Sequence, residues 1–127
     1  MGGYQQDPNN PSKLIPNSGS AFYQVGNLTF NTGSFVQDDA TPSVEGGNVF
    51  YTTPGSSGAV TITQLDDGSP GQQVTIVGKS GSNKSTINNG GNFNLVSTTA
   101  MTFDTDDTLT LTTLDGTNWV EIARSNN

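Results

Sequence analysis

The chain has 127 residues, of which 30% are hydrophobic and 12% charged, with a formal net charge of −7. This is the length of one domain with a modest core, and four basic residues cannot form the clustered patch that nucleic acid or an anionic membrane requires. With no cysteine and no histidine, disulfides and the common zinc and soft-metal sites are excluded, which leaves oxygen-ligand cations or partner subunits to support so thin a core.

Residues 1–24, MGGYQQDPNNPSKLIPNSGSAFYQ, carry prolines at positions 8, 11 and 16, which remove backbone donors and fix an extended course. The segment reads as an arm and not as a core element. Its apolar residues Tyr4, Leu14, Ile15, Phe22 and Tyr23 follow no helical stripe, but they suit anchors that dock an extended segment on a neighbour, so the arm is expected to serve attachment. The start of the chain has neither a charged n-region nor an apolar stretch of the signal-peptide type, and Gln6 breaks the myristoylation pattern. No apolar run reaches membrane-spanning length. The expectation is a soluble protein made in a cytoplasm, where the sequons at Asn27 and Asn83 carry no glycan.

From about residue 25 to 127 the period is two, the signature of strands with one buried face. Strands are expected at NVFYT (48–52), AVTITQL (59–65), QVTIVG (73–78), STIN (85–88), NFNLV (92–96), TLTLTTL (108–114) and NWVEIAR (118–124). Asp67-Gly68, Asn89-Gly90-Gly91 and Asp115-Gly116 between them are hairpin-type turn signals. No window supports a helix. The pattern predicts an all-β domain, an antiparallel β-sandwich or jelly roll, over 25–127.

VGKSGSNKST at 77–86 ends like a phosphate-binding loop, but Gln73 stands where the first glycine belongs and a turn follows where a helix should begin. It is expected to be a long hairpin connection with solvated lysines.

Catalysis has few carriers. A glycan-cleaving pair of carboxylates would draw on Asp66, Asp67, Asp104, Asp106, Asp107 and Glu121, yet all but Glu121 cluster in turns where Asp ordinarily caps its own backbone. The protein is therefore expected not to be an enzyme and to need no cofactor. Asp104, Asp106 and Asp107 are the weak candidates for a divalent cation, being hard oxygen ligands, although their spacing departs from the EF-hand loop. Trp119 is either a core or interface plug in the last strand or a stacking surface for sugar. Strict alternation puts Trp119, Glu121 and Ala123 on one face and Val120 and Ile122 on the other.

The fragments TPSVEGG (41–47), VTITQLDDG (60–68), GQQVTIVG (71–78), STINNGGNFNLV (85–96), DTLTL (107–111) and GTNWVEIARS (116–125) resemble, in that order, an all-β module of tailed-bacteriophage virion proteins. The resemblance covers about two-thirds of the chain, over 41–125, and implies a trimer-forming piece of fibres, spikes or head appendages. Together with the thin core, it leads us to expect an obligate homotrimer located in the virion. The favoured role is a non-enzymatic capsid decoration, cement or head-appendage protein that attaches to the major capsid protein or another virion protein. The alternative is a tail fibre, tip or adaptor module that binds a host surface glycan.

Overall fold

The structure, a computed structural model, describes the backbone of residues 4–7 and 10–16 and all atoms of residues 30–127. In the N-terminal part, β1 (Tyr4–Asp7) and β2 (Asn10–Pro16) pair antiparallel in a sheet of their own. Prolines at 8, 11 and 16 argue against pairing in this segment, yet a ladder is present. The ladder forms because its register shifts between Gln6 and Asp7, where Asp7 pairs with Asn10 and Gln6 with Leu14. Pro11 falls inside that bulge, where its missing donor costs no ladder bond, and Pro16 closes the strand. Tyr4, Leu14 and Ile15 lie on this ladder, with side chains outside the described part; Phe22 and Tyr23 lie outside the described residues.

All seven expected strands are present, as β4 (Val49–Tyr51), β5 (Val60–Ile62), β6 (Gln73–Val77), β7 (Ser85–Ile87), β8 (Phe93–Asn94), β10 (Thr108–Thr113) and β11 (Trp119–Ser125). Two more, β3 (Thr32–Ser34) and β9 (Met101–Thr102), escaped the sequence reading because two or three residues are too short to show a period. The strands form a six-stranded sheet in the order β3-β4-β6-β10-β11-β8 and a three-stranded sheet β5-β7-β9.

Both sheets turn their apolar sides into one core. Phe50, Val74, Ile76, Leu109, Leu111, Phe93 and Trp119 come from the large sheet, while Val60, Ile62, Ile87 and Met101 come from the small one. Phe35, Val44, Leu65, Leu95 and Phe103 plug the space from the connections, and Phe35 stacks on Phe50 with ring centroids 5.3 Å apart. At about 1.5–3 kcal/mol for each large apolar side chain removed from water, this shared core is the main term that holds the two layers together. The result is a β-sandwich.

Two expectations need correction. The sandwich is mixed: β3-β4, β4-β6, β5-β7 and β8-β11 are parallel, and β6-β10, β10-β11 and β7-β9 antiparallel. The reason is that most turn signals do not close hairpins. Only Asp115-Gly116 joins neighbouring strands of one sheet, β10 and β11, whereas the turn at Asp67-Gly68 and the one at Asn89-Gly91 carry the chain from one sheet to the other.

The same correction applies to VGKSGSNKST, which passes from β6 in the large sheet to β7 in the small one and is therefore an inter-sheet crossing. Its Gly78 is required by close approach, not by phosphate. A Cβ there would come within 1.8 Å of the Asp104 carbonyl oxygen, and the Gly78 N–H donates to the Asp107 carbonyl at 2.7 Å while its own carbonyl accepts from Asp106 at 2.9 Å.

Candidate functional site

The acidic turn after β9 is built around this crossing. Asp107 is buried, and its carboxylate accepts the Asp104 N–H at 2.9 Å and the Asn127 N–H at 2.7 Å, one on each oxygen. Asp104 forms an ion pair with Lys84 from the crossing loop. Asp106 sits at φ 66°, so its backbone makes the left-handed corner that Asp tolerates better than most residues. Of the three cation candidates, then, one caps backbone amides, one is matched by a lysine and one shapes a turn. Among the described residues no three acidic side chains gather as a cation site would require.

Asp115 and Asp38 are committed in the same manner. Asp115 accepts from the N–H of Thr117 and Asn118 at 2.8 and 2.7 Å and from the Asn118 side-chain amide at 2.7 Å, and these donors hold it far below the carboxylate range. Asp38 accepts from the Ser56 hydroxyl and, at 2.8 Å, from the Ser56 N–H, which again lowers its pKa. A glycosidase acid needs the opposite, a carboxyl held protonated near neutral pH.

Glu121 is the one acidic residue on a strand of the sandwich, and a bulge decides its partner. Leu111 pairs with Glu121 and Thr110 with Ala123, so Ile122 is the extra residue of β11. Beyond it the faces exchange, and Arg124, paired with the buried Leu109, comes to the same side as Glu121. Ala123 is thereby exposed on the outer face, which corrects its expected place beside Trp119. The Arg124 guanidinium donates to both Glu121 oxygens, Nε to Oε1 at 2.5 Å and Nη2 to Oε2 at 2.6 Å. It also donates to the carbonyls of Thr99 at 2.9 Å and Ala100 at 3.2 Å, while the Val96 N–H donates to Glu121 Oε2 at 2.8 Å. This clamp pins the turn at 96–100 to β11. The Arg124 hydrogen bonds, helped by the Val96 amide and the Arg124 charge, outweigh burial and hold Glu121 below its usual range.

A pH prediction follows from the signs. Glu121, Asp115 and Asp38 are all depressed in the folded state from ordinary values of 4.5, 3.8 and 3.8. Each contributes stability that is complete above its ordinary pKa and is lost as pH falls through the lowered one. Thermal unfolding followed by circular dichroism is expected to give a flat midpoint from pH 7 to about 5 and a progressive fall below about pH 4. A midpoint that falls between pH 7 and 5 would contradict these assignments.

Trp119 is fully buried, so the core reading of this residue holds and the ring is not offered to a sugar. Its packing is close enough that a Cβ on Gly68 would lie 2.7 Å from the indole Cζ2. Two shallow hollows flank β5. One, of about 250 Å³, is lined by Thr61, Ile62, Thr63, Asn88, Asn89 and Phe93 with two glycines and holds no charge. The other, of about 300 Å³, contains Asp38 as its one carboxylate, already bonded to Ser56. Neither hollow places two acids across a bond, and sequence reasoning missed both because they arise where the separate segments before β5, in β5 and after β7 meet.

Residues 32–120 match the family described as the phage depolymerase C-terminal beta sandwich domain. No curated protein matches the chain. The matched segment runs from the first residue of β3 into β11 and so takes in both sheets and the shared core. With more than half of its length matched, this chain belongs to the phage depolymerase C-terminal beta sandwich domain family.

Proposed function

We propose that the chain is a non-catalytic structural module of a phage particle, a homotrimer that attaches to a larger virion protein through residues 1–24. The observation that carries this reading is the match to the C-terminal sandwich of phage depolymerases, and a tail position fits it as well as capsid decoration does. The commitments of Asp38, Asp107, Asp115 and Glu121 to backbone amides and Arg124 support a role without hydrolysis. The buried apolar residues of both sheets form one cluster, and the trimer is proposed as an assembly of such sandwiches. A second reading, recognition of a host surface glycan, draws on the uncharged hollow lined by Thr61, Thr63, Asn88 and Asn89, whose hydroxyls and amides suit sugar hydroxyls.

Deleting residues 1–24 tests the attachment. The truncated protein is expected to keep its β circular dichroism and its oligomeric mass while losing incorporation into particles, as counted by quantitative mass spectrometry. Normal incorporation would move attachment to the sandwich. The same count, made on particles with the full chain, separates positions: a few copies fit the tail, and hundreds would restore the capsid-decoration role expected from the sequence.

A further inference from the structure

We infer that the outer face of the six-stranded sheet is the surface on which a second copy of this chain packs, giving the proposed trimer its interface. Register places the outward residues in rows, Tyr51 with Val77 and Thr108, then Val49 with Thr75 and Thr110, then Gln73 with Thr112 and Val120. No outward residue of this sheet is charged. The only charged residues on its strands, Glu121 and Arg124, lie across the bulge on the inner side and neutralise each other.

In a chain with net charge −7, a broad face without charge suits a partner of the same charge, and exposed apolar side chains set this face apart from that of the small sheet, whose outward threonines are also uncharged. A basic partner would be met by carboxylates, whereas a copy carrying the same charge must be met where there are none. Apolar exposure is distributed to match. Among the described residues, three exposed large hydrophobics, Tyr51, Val120 and Ile122, lie on strands of the six-stranded sheet and none on strands of the three-stranded one. The small sheet presents outward only Thr61, Thr86 and Thr102, the last two bonded to each other at 2.9 Å. On the large face the hydroxyls of Thr75 and Thr110, 2.9 Å apart, satisfy each other within the protomer, so their methyl groups can be covered at little polar cost. In a closed three-fold ring each copy offers part of the face to each neighbour.

The test is the mass of the full chain by analytical ultracentrifugation, with Val120→Asp and Ile122→Asp as interface variants and Thr86→Asp on the small sheet as control. Both variant positions are about half exposed, 46% and 52%, so the fold should survive, as checked by circular dichroism. Wild type and Thr86→Asp are expected to be trimers, and the two face variants to associate about tenfold more weakly or worse, because a carboxylate would be buried without a partner. Wild-type association should also strengthen from low to high salt, since screening weakens repulsion between like-charged copies. Association that weakens with salt would indicate a charge-paired interface and overturn the inference, even if the variants failed to fold. Trimers unaffected by either face variant would remove this face while leaving the trimer reading intact. A monomeric wild type at high concentration would remove both. Should that monomer's Ile122→Asp variant become protease-sensitive within residues 1–29, the face would belong to the chain's own N-terminal segment.

Discussion

Trp119→Ala is expected to destabilise the domain by about 3–5 kcal/mol, the range for removing a fully buried aromatic side chain from a packed core. Trp119 has no exposed surface and belongs to the single cluster that joins the two sheets. Urea unfolding of the purified variant measures the loss, and a variant with the wild-type midpoint would show that the ring does not hold the layers together. Trp119→Phe should cost less than Ala for two reasons. It keeps most of the apolar surface, and it removes the indole N–H, which is buried and has no hydrogen-bond partner among the described residues, an arrangement that costs about 1–3 kcal/mol.

Glu121→Ala is expected to cost about 3 kcal/mol, because it leaves the Arg124 guanidinium partly buried with only the Thr99 and Ala100 carbonyls as acceptors and removes the acceptor of the Val96 N–H. Replacing both members, Glu121→Leu with Arg124→Met, should recover much of that loss, since a well-packed apolar pair avoids the desolvation that the ion pair must offset. Wild type, Glu121→Leu, Arg124→Met and the variant carrying both form a double-mutant cycle whose interaction energy urea unfolding can read. Hydrogen exchange supplies a local readout: the Val96 amide should exchange faster in Glu121→Ala. If the single and double variants are equally unstable, the clamp is not acting as a pair.

What was legible in the sequence was the set of signals that act over a few neighbouring residues. TLTLTT and QVTIV show the buried-exposed alternation directly, as Leu109, Leu111, Val74 and Ile76 are buried and Thr110 and Thr75 face outward. That is enough to place the strands and to predict a sandwich, because a strand with one apolar face must cover it with another layer. The composition excluded disulfides and histidine or cysteine metal sites outright. The fragments over 41–125 resembled a phage virion module, and the chain belongs to a phage depolymerase sandwich family.

Pairing between distant segments was decided only in three dimensions. Nothing local in STIN or VTITQL says that β7 lies beside β5 in parallel, since strand order depends on which connections cross from sheet to sheet. Two-residue strands such as β9 exist because a neighbour supplies their hydrogen bonds, not because of their own propensity. The clamp at β11 makes the same point at the scale of one side chain. Alternation along WVEIARS puts Glu121 and Arg124 on opposite faces, and one inserted residue in the ladder, Ile122, puts them on the same one. A bulge is a relation between two strands, so it has no signature within either. The sequence determined which residues seek the core and where the chain can turn. The tertiary structure decided which turns cross between layers, which carboxylates are consumed as caps and clamps, and which sheet face carries the exposed apolar side chains.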